Sequence, residues 1–493
     1  MRLQLPAGWI EGVSSAAAGD TGSPALRIFK GIPYAAAPIG EYRWQAPQPV
    51  SPWVGVRPCD RFGPVAAQVG LPGSADHAGD LDCLSLNVWC PPTGDGPWPV
   101  MVWIPGGGFM RGGASDALYD GSAMARQGVV FVSINYRIGV DGFMHFDDAA
   151  PNRGLQDQLA ALRWVQEHIG LFGGDPRRVT VAGVSAGAGA ITHLMGLSGS
   201  EALFERVILQ SPSMQSHSLE DAQRIRHALA GVLCVAPTRQ ALAAVPLASL
   251  TRALASFMGN EDLKKQWGLR PRNYFPVRPV IDGLLIEMEP LPAIEKRLHS
   301  GGAKRKVLLG SNAEEMRFYL VPNGEIDRID EARVRTFAED IGWSAQTLAQ
   351  TLDGYRAESS QMNLGDALSR IQTDYFYGKP TLALEKLLHQ ANCPTFLYRF
   401  EWQSPLYGGR LGAAHAMEIP FVLGNTHSSR AQEFIGALAP GALAHDMHTR
   451  WARFVRGDAM PDWADAGQRL RVFKKVKEIG TTEYESPLMR RGP

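Results

Sequence analysis

The chain has 493 residues, and its 49 Lys and Arg residues balance its 49 Asp and Glu residues, so the formal net charge is zero. This balance gives no electrostatic reason to expect nucleic acid or an anionic membrane as a partner. Hydrophobic residues make up 45% of the chain and charged residues 20%, which is ordinary for a globular protein with a large core.

The chain shows no linker-like segment, charge run or internal repeat, so residues 1–493 are expected to form a single domain with insertions. The first residues lack a basic start followed by an apolar run, and no later stretch is long enough to span a bilayer. The five cysteines have no metal-binding spacing, which is typical of reduced thiols. These features predict a cytoplasmic protein without a metal site, present as a monomer or a small homo-oligomer.

Taken in chain order, the first punctuated segment is 29–40, whose Pro and Gly residues predict a loop that wraps the core. Apolar runs bounded by Gly, Pro or Asp then predict strands at 84–89, 99–105 and 129–136. Between residues 154 and 168, apolar residues recur at the spacing of an amphipathic helix. Strands that alternate with helices indicate an α/β fold with a largely parallel sheet.

Three glycines follow the second of these strands, in the segment 105–109 (PGGGF). Glycines leave the backbone free to turn its N–H groups inward, as an oxyanion hole requires. The alternative is a flexible turn without a chemical role. A serine motif further along the chain favours the oxyanion hole.

That serine motif lies in the segment 179–187 (VTVAGVSAG), which changes from β-forming residues to small residues and predicts a strand, a tight turn and a helix. Such a turn lifts the hydroxyl of Ser185 clear of the sheet. The pattern Gly-x-Ser-x-Gly also arises by chance in a chain with 53 glycines, but the strand–turn–helix setting is what a nucleophile elbow requires. In this interpretation the N–H groups of Gly107, Gly108 and Ala186 stabilise an oxyanion.

A serine hydroxyl is a poor nucleophile near neutral pH, so it needs a base and an acid that orients the base. Five histidines lie late enough in the chain to follow the order serine, acid, histidine: His389, His415, His427, His445 and His448. Of these, His415 lies in a loop of small residues, whereas three of the others are more easily interpreted as surface or core residues. For the acid, a predicted strand at 306–310 runs into Glu314 and Glu315, and spacing alone does not choose between them.

These residues resemble the type-B carboxylesterases, a family that includes bacterial carboxylesterases, para-nitrobenzyl esterases and the cholinesterases. The resemblance covers nearly the whole chain and rests on ordered matches at 31–35 (GIPYA), 82–87 (DCLSLN), 106–109 (GGGF), 135–137 (NYR), 172–176 (FGGDP), 183–187 (GVSAG), 279–283 (PVIDG), 310–312 (GSN) and 415–421 (HAMEIPF). It implies an α/β-hydrolase fold, with a central, mostly parallel sheet flanked by helices and helical insertions that form a gorge or cap. It also implies that Ser185 is the nucleophile, Glu315 rather than Glu314 the acid, and His415 the base.

One departure from the family pattern concerns a buried charge. Leu81 stands where the family has a glutamate that often pairs with an arginine. The sequence therefore leads us to expect that Arg43 pairs with Asp80 or Asp82 instead.

The resemblance further implies that Phe275 and Val277 border an acyl pocket and that Phe318 and Tyr319 form a gorge wall; ordinary core packing is the alternative for all four. Val184, beside the serine, supplies no carboxylate to hold a cation, and the segment 66–82 contains no aromatic residue where choline-binding relatives have a tryptophan. We therefore expect a hydrolase of neutral, fairly hydrophobic small-molecule esters that uses an acyl-enzyme and no cofactor. A carbamate, amide or lactone hydrolase with the same triad is an alternative, and a non-catalytic binding protein is a more distant one.

Overall fold

The structure is a computed structural model, and it describes residues 1–15, 25–69, 77–92, 96–258, 275–358, 362–461, 463, 470–474 and 481–482. The strands in these ranges are β1 (Arg2–Leu5), β2 (Gly8–Glu11), β3 (Val13–Ser15), β4 (Leu26–Pro33), β5 (Val56–Pro58), β6 (Gln68–Val69), β7 (His77–Ala78), β8 (Ser85–Cys90), β9 (Trp98–Ile104), β10 (Val130–Ile134), β11 (Gly174–Val184), β12 (Arg206–Gln210), β13 (Lys306–Asn312), β14 (Thr395–Phe400), β15 (Leu470–Phe473) and β16 (Thr481–Thr482).

The helices in the same ranges are α1 (Ser122–Arg126), α2 (Gly139–Phe143), α3 (Arg153–His168), α4 (Ala186–Gly196), α5 (Leu219–Val232), α6 (Arg239–Ala243), α7 (Leu247–Ala255), α8 (Pro290–His299), α9 (Arg317–Leu320), α10 (Glu331–Asp340), α11 (Ala345–Glu358), α12 (Leu364–Thr373), α13 (Lys379–Gln390), α14 (Ile419–Val422), α15 (Ser429–Ile435) and α16 (Gly441–Arg456). A π-helical turn, Asp374–Gly378, joins α12 to α13.

One mixed sheet organises the molecule, and in the described ranges its strand order is β16-β15-β14-β13-β12-β11-β9-β10-β8-β4-β3. The strands from β10 through β9, β11, β12, β13 and β14 to β15 run parallel to their neighbours. The ladders at the two ends of the sheet are antiparallel. The predicted largely parallel sheet is therefore confirmed for its central strands.

The central strands are buried on both faces, which explains why they appear in the sequence as continuous apolar runs. In β9, Val100 and Val102 lie in one core cluster and Met101 and Trp103 lie in the other, because successive side chains of a strand point to opposite faces. Helices α3, α4 and α8 contribute to the first cluster, and α12 and α16 contribute to the second. The sheet is thus covered by helices on both sides.

The predicted strands at 84–89, 99–105 and 129–136 correspond to β8, β9 and β10, with ends that differ by one or two residues. The helix predicted at 154–168 is α3. The loop predicted at 29–40 is wrong at its start, because residues 29–33 belong to β4. Strand β4 pairs with β8 across an irregularity between Phe29 and Ile32, where Gly31 has a φ of 70°. A bulge that contains glycine hides a strand from an interpretation based on composition.

The expected partners of Arg43 are also wrong. Its Nε atom lies 2.9 Å from Oδ1 of Asp141, and both side chains are largely buried. Asp141 lies on the short helix α2, about a hundred residues along the chain, so local charge spacing gave no sign of it. Neither Asp80 nor Asp82 forms this pair.

The five cysteines are all free, and only Cys234 among them is exposed. Within the ranges given above, no group of His, Cys, Asp and Glu side chains is arranged to hold a metal ion. No helix in those ranges is both long enough and apolar enough to cross a bilayer.

Candidate active site

Ser185 is the single residue between the end of β11 and the start of α4, and its backbone has φ 57° and ψ −123°. A non-glycine residue seldom adopts a positive φ, and such strain persists only where the surroundings fix it. Here the Ser185 N–H donates to the Gln210 carbonyl at 2.8 Å, and the Ser185 carbonyl accepts from the N–H groups of Gly189 at 2.8 Å and Ser213 at 3.2 Å. The strand–turn–helix setting predicted for this serine is present.

Close backbone approaches around the turn require glycine. A Cβ atom on Gly187 would lie 2.2 Å from the Ile104 carbonyl oxygen, and a Cβ atom on Gly183 would lie 2.9 Å from the backbone of Gly187. A Cβ atom on Gly106 would lie 3.1 Å from the Cβ of Ser185. The loop that follows β9 therefore reaches the turn that carries Ser185.

This loop contains the predicted oxyanion donors. Gly107 has a φ of 117°, and Gly108 and Phe109 have φ values of 64° and 59°. In the described part of the chain, the N–H groups of Gly107, Gly108 and Ala186 donate to no other residue. Backbone N–H groups at a helix start and in a turn of this kind are suited to bind negative charge. The geometry brings this donor set to the same turn as Ser185.

His415 and Glu315 form a buried pair. The Nδ1 atom of His415 lies 2.6 Å from Oε2 of Glu315. The other carboxylate oxygen, Oε1, accepts from the Ser211 hydroxyl at 2.6 Å and from the Asn312 N–H at 2.7 Å. Donors on both oxygens fix the carboxylate in one orientation, and the carboxylate in turn fixes the tautomer and orientation of the imidazole.

Glu314 occupies a different environment. Its carboxylate pairs with Arg317 at 2.8 Å and accepts from the Ala413 N–H at 2.9 Å, and a quarter of its side chain is exposed. The structure thus brings Glu315, and not Glu314, to His415.

Ser185 and His415 are not joined by a hydrogen bond. The Nε2 atom of His415 is buried and has no hydrogen-bond partner among the described residues. Hydrogen bonds between a nucleophile and its base are often long before substrate binds and tighten when it does. The pairing of Nδ1 with Glu315 leaves Nε2 as the nitrogen that can accept a proton.

A second buried carboxylate lies beside this pair and was missed in the sequence. Glu418 accepts from the side-chain amides of Gln210 at 2.8 Å and Asn312 at 2.6 Å. Burial, and then the negative charge of Glu315, raise the pKa of Glu418 above its ordinary value. Asn312 donates to both carboxylates and so ties β13 to the loop that carries His415. The only sequence signal for Glu418 was its place in the matched segment 415–421.

Aromatic rings surround His415. The ring centroids of Phe318, Tyr319 and Tyr377 lie 6.1, 5.8 and 4.9 Å from that of the imidazole. Phe318 and Tyr319 are partly exposed and lie beside the histidine; their role as a gorge wall stays a prediction. Tyr377 was missed because it belongs to the π-helical turn. Such a turn contains one extra residue, so its side chains point in directions that the spacing of a regular helix does not predict.

Phe275 and Val277 have different surroundings. The ring of Phe275 meets that of Tyr319 at 6.2 Å, and it covers Gly108 so closely that a Cβ atom there would lie 2.3 Å from the ring. Val277 is buried in the core cluster on one face of the sheet. Phe275 therefore lies beside the loop at 105–109, and Val277 lies in the core; that the two border an acyl pocket stays a prediction.

A mixed sheet with parallel central strands, a serine on a strained turn after β11 and a histidine–glutamate pair beyond β13 define the α/β-hydrolase class. Residues 1–481 match the family model described as the Carboxylesterase family, and the chain belongs to that family.

Relatives and solved structures agree with this assignment. The chain is 33% identical to a fumonisin B1 esterase of Sphingopyxis macrogoltabida, with 93% of the chain and 85% of the relative aligned. It is 32% identical to a para-nitrobenzyl esterase of Bacillus subtilis, with 87% and 86% aligned. A crystal structure of a carboxylesterase from Geobacillus stearothermophilus superimposes with a TM-score of 0.80 at 30% identity and covers 99% of the chain and 98% of that structure. The predicted class, a serine hydrolase of carboxylic esters, is confirmed.

Proposed function

We propose that the enzyme cleaves small-molecule esters through an acyl-enzyme on Ser185, with His415 as the base and Glu315 as the acid that orients it. The observation that carries this proposal is the 2.6 Å contact between Nδ1 of His415 and Oε2 of Glu315. This contact places the Nδ1–H of a neutral imidazole on the carboxylate. The other ring nitrogen, Nε2, is then unprotonated and can receive a proton from the serine.

In the first half of the reaction, Nε2 of His415 takes the proton of the Ser185 hydroxyl while Oγ attacks the ester carbonyl carbon. The carbonyl oxygen becomes an oxyanion, which accepts hydrogen bonds from Gly107, Gly108 and Ala186. The imidazolium then gives its proton to the departing alcohol as the carbon–oxygen bond breaks. The product of this half is an ester between Ser185 and the acyl group.

In the second half, His415 removes a proton from water, which attacks the acyl-enzyme and passes through a second oxyanion. The proton returns to Oγ of Ser185 as the acid leaves. The Glu315 carboxylate accepts the hydrogen bond from Nδ1 of His415 and stabilises the transient imidazolium. The hydroxyl of Ser211 and the N–H of Asn312 hold Glu315 in place for both halves.

We further propose that neutral, fairly hydrophobic esters are preferred to choline esters. The residue before the nucleophile is Val184, which is buried and carries no charge that could hold a quaternary ammonium group. The rings of Phe275, Phe318 and Tyr319 offer a partly exposed apolar surface beside His415 and Gly108. A cytoplasmic location is proposed as well; the five free cysteines favour a reducing compartment.

The roles are tested by Ser185→Ala, measured with 4-nitrophenyl butyrate and compared with the matched variant Ser300→Ala at an exposed helix end. Alanine meets the same backbone strain at φ 57° as serine does, so the variant is expected to fold. Loss of the nucleophile of a serine protease triad lowers kcat by about a millionfold. A folded Ser185→Ala enzyme that keeps a tenth of the activity would refute the assignment, and Ser300→Ala should match the wild type.

A further inference from the structure

The loop at 105–112 carries two of the three proposed oxyanion donors, Gly107 and Gly108. A donor N–H stabilises an oxyanion only where it points at the developing charge, so the position of this loop affects the rate of the proposed reaction. Within the loop, the Gly107 carbonyl accepts from the N–H groups of Met110 at 3.0 Å and Arg111 at 3.1 Å. These two bonds close a turn, but they do not tie the turn to the rest of the protein.

The start and the middle of the loop are held by the core. The buried Tyr136 donates from its hydroxyl to the Pro105 carbonyl at 2.8 Å. The Gly139 N–H donates to the Phe109 carbonyl at 2.7 Å. Neither bond reaches Gly112, which is exposed at the end of the loop. The end of the loop therefore depends on a different contact.

Gln68, on strand β6, supplies that contact. Its Oε1 accepts from the Gly112 N–H at 2.8 Å, and its Nε2 donates to the Gly112 carbonyl at 3.0 Å. Nε2 also donates to the Ala66 carbonyl at 2.9 Å, which fixes the orientation of the amide. Among the described residues, Gln68 is the only side chain that hydrogen-bonds the backbone of 106–112. One side chain thus pairs both backbone groups of Gly112, as a neighbouring strand would.

Close backbone contacts connect Gly112 to the oxyanion donors. A Cβ atom on Gly112 would lie 2.6 Å from the Gly106 carbonyl oxygen, and a Cβ atom on Gly107 would lie 2.0 Å from the Arg111 carbonyl oxygen. The two sides of the loop are therefore packed against each other, and closely packed groups transmit a displacement to their neighbours. A shift of Gly112 would displace Gly106 and Gly107 as well.

We propose that Gln68 is a positioning residue for the oxyanion hole: its side-chain amide holds Gly112 and, through it, keeps the oxyanion donors directed at the oxyanion. The inference rests on the proposed acyl-enzyme mechanism and adds to it a residue on a separate strand. No described contact joins Gln68 to Ser185 or His415. The oxyanion exists only beyond the ground state, so loss of Gln68 should slow the reaction without weakening substrate binding.

The test begins with Gln68→Leu, which removes both hydrogen bonds to Gly112 and keeps nearly the size of the side chain. Loss of a whole oxyanion donor costs about 100-fold or more in kcat, and we expect this displacement to cost about tenfold with 4-nitrophenyl butyrate. Both halves of the reaction pass through an oxyanion and should slow alike, so KM should stay within about twofold of the wild type. A wild-type kcat, or a tenfold rise in KM with kcat unchanged, would overturn the proposal.

Two further variants make this comparison specific. Gln68→Glu keeps the acceptor for the Gly112 N–H but places an oxygen against the Gly112 carbonyl, so it should lose at least as much kcat as Gln68→Leu. Gln48→Leu is the matched control, because Nε2 of Gln48 also donates to the carbonyl two residues earlier, that of Ala46, at 2.9 Å. No described contact joins Gln48 to the loop, so this variant should keep the wild-type kcat. If Gln68→Leu does not fold, Gln68→Glu still decides.

A pair of inhibitors separates oxyanion binding from substrate binding. Oγ of Ser185 adds to the carbonyl carbon of a trifluoromethyl ketone, whose oxygen becomes an oxyanion, whereas the secondary alcohol of the same carbon skeleton binds without forming one. In Gln68→Leu the Ki of the ketone should rise about tenfold, and the Ki of the alcohol should stay within about twofold. An equal rise in both would show a change of the pocket itself and would overturn the assignment.

Gly107→Ala distinguishes failure of this inference from failure of the proposed function. A Gly107→Ala enzyme with the wild-type kcat would contradict the proposed oxyanion hole, and the role of Gln68 with it. A loss in Gly107→Ala without a loss in Gln68→Leu would overturn only the role of Gln68. Losses in both that are less than additive in the double variant would support one shared loop, and fully additive losses would overturn it.

Discussion

Replacing Glu315 by glutamine should remove most of the activity, and the structure explains why an amide of the same shape fails. The backbone N–H of Asn312 can only donate, so it requires an acceptor at the position of Oε1. The amide oxygen of a glutamine will therefore face Asn312, and the NH₂ group will face Nδ1 of His415. An imidazole that accepts at Nδ1 carries its proton on Nε2 and has no lone pair there for Ser185.

The size of this effect follows from the wrong tautomer. In a serine protease triad the same exchange of carboxylate for amide lowers kcat by about ten-thousand-fold, which corresponds to roughly 5 kcal/mol of transition-state stabilisation. Glu314→Gln is the matched control, because its carboxylate is partly exposed and pairs with Arg317. Ion pairs near the surface contribute about 0–1 kcal/mol to folding stability, so the control should fold. Because no described hydrogen bond joins Glu314 to His415 or Ser185, its kcat should stay close to that of the wild type.

The assay is kcat for 4-nitrophenyl butyrate, with folding checked by circular dichroism and thermal unfolding of both variants. The reasoning requires Glu315→Gln to be the more damaging change by at least about a hundredfold. The opposite ranking, or a folded Glu315→Gln enzyme with a tenth of the wild-type kcat, would refute it.

Three further outcomes follow from other contacts. Burial lowers the pKa of His193 to about 3, whereas the pKa of a histidine in the unfolded chain is about 6.5. Between pH 3 and about 6.5 only the unfolded chain binds this proton, so the free energy of unfolding should fall as the pH falls from 6.5 towards 3. The variant His193→Gln should flatten that slope in urea titrations. A Cβ atom at Gly107 would lie 2.0 Å from the Arg111 carbonyl oxygen, so Gly107→Ala should displace the oxyanion donors and cost about 100-fold in kcat; an unchanged kcat would count against the oxyanion hole. Because Val184 offers no anion, kcat/KM for a neutral butyrate ester should exceed that for butyrylcholine about tenfold or more, and a faster choline ester would contradict the proposed preference.

Local patterns predicted the parts of the fold that depend on local physics. The apolar runs of β8, β9 and β10 are buried on both faces, so they remain visible without any knowledge of their neighbours. The turn at Ser185 was predictable because a strand, two glycines and small residues are what that geometry requires. Strand β4 was missed because its bulge at Gly31 resembles a loop in composition.

Long-range contacts lay outside what spacing could reveal. The choice between Glu314 and Glu315 depends on how the chain turns after β13, because adjacent residues there face Arg317 and His415 respectively. The pairing of Arg43 with Asp141 and the position of Tyr377 against His415 each join segments that are far apart in sequence. Such contacts become visible only when the sheet order is known.

The central claim is that an acyl group is transferred to Ser185, and mass spectrometry of the enzyme during turnover tests it most directly. The enzyme is mixed with an ester whose acyl-enzyme hydrolyses slowly, quenched in acid and digested. We expect the mass of one acyl group on the peptide that contains residues 183–187, with no such mass in the Ser185→Ala enzyme. An acyl group on a different residue, or steady turnover with no acylated peptide and no burst of alcohol release, would contradict the account.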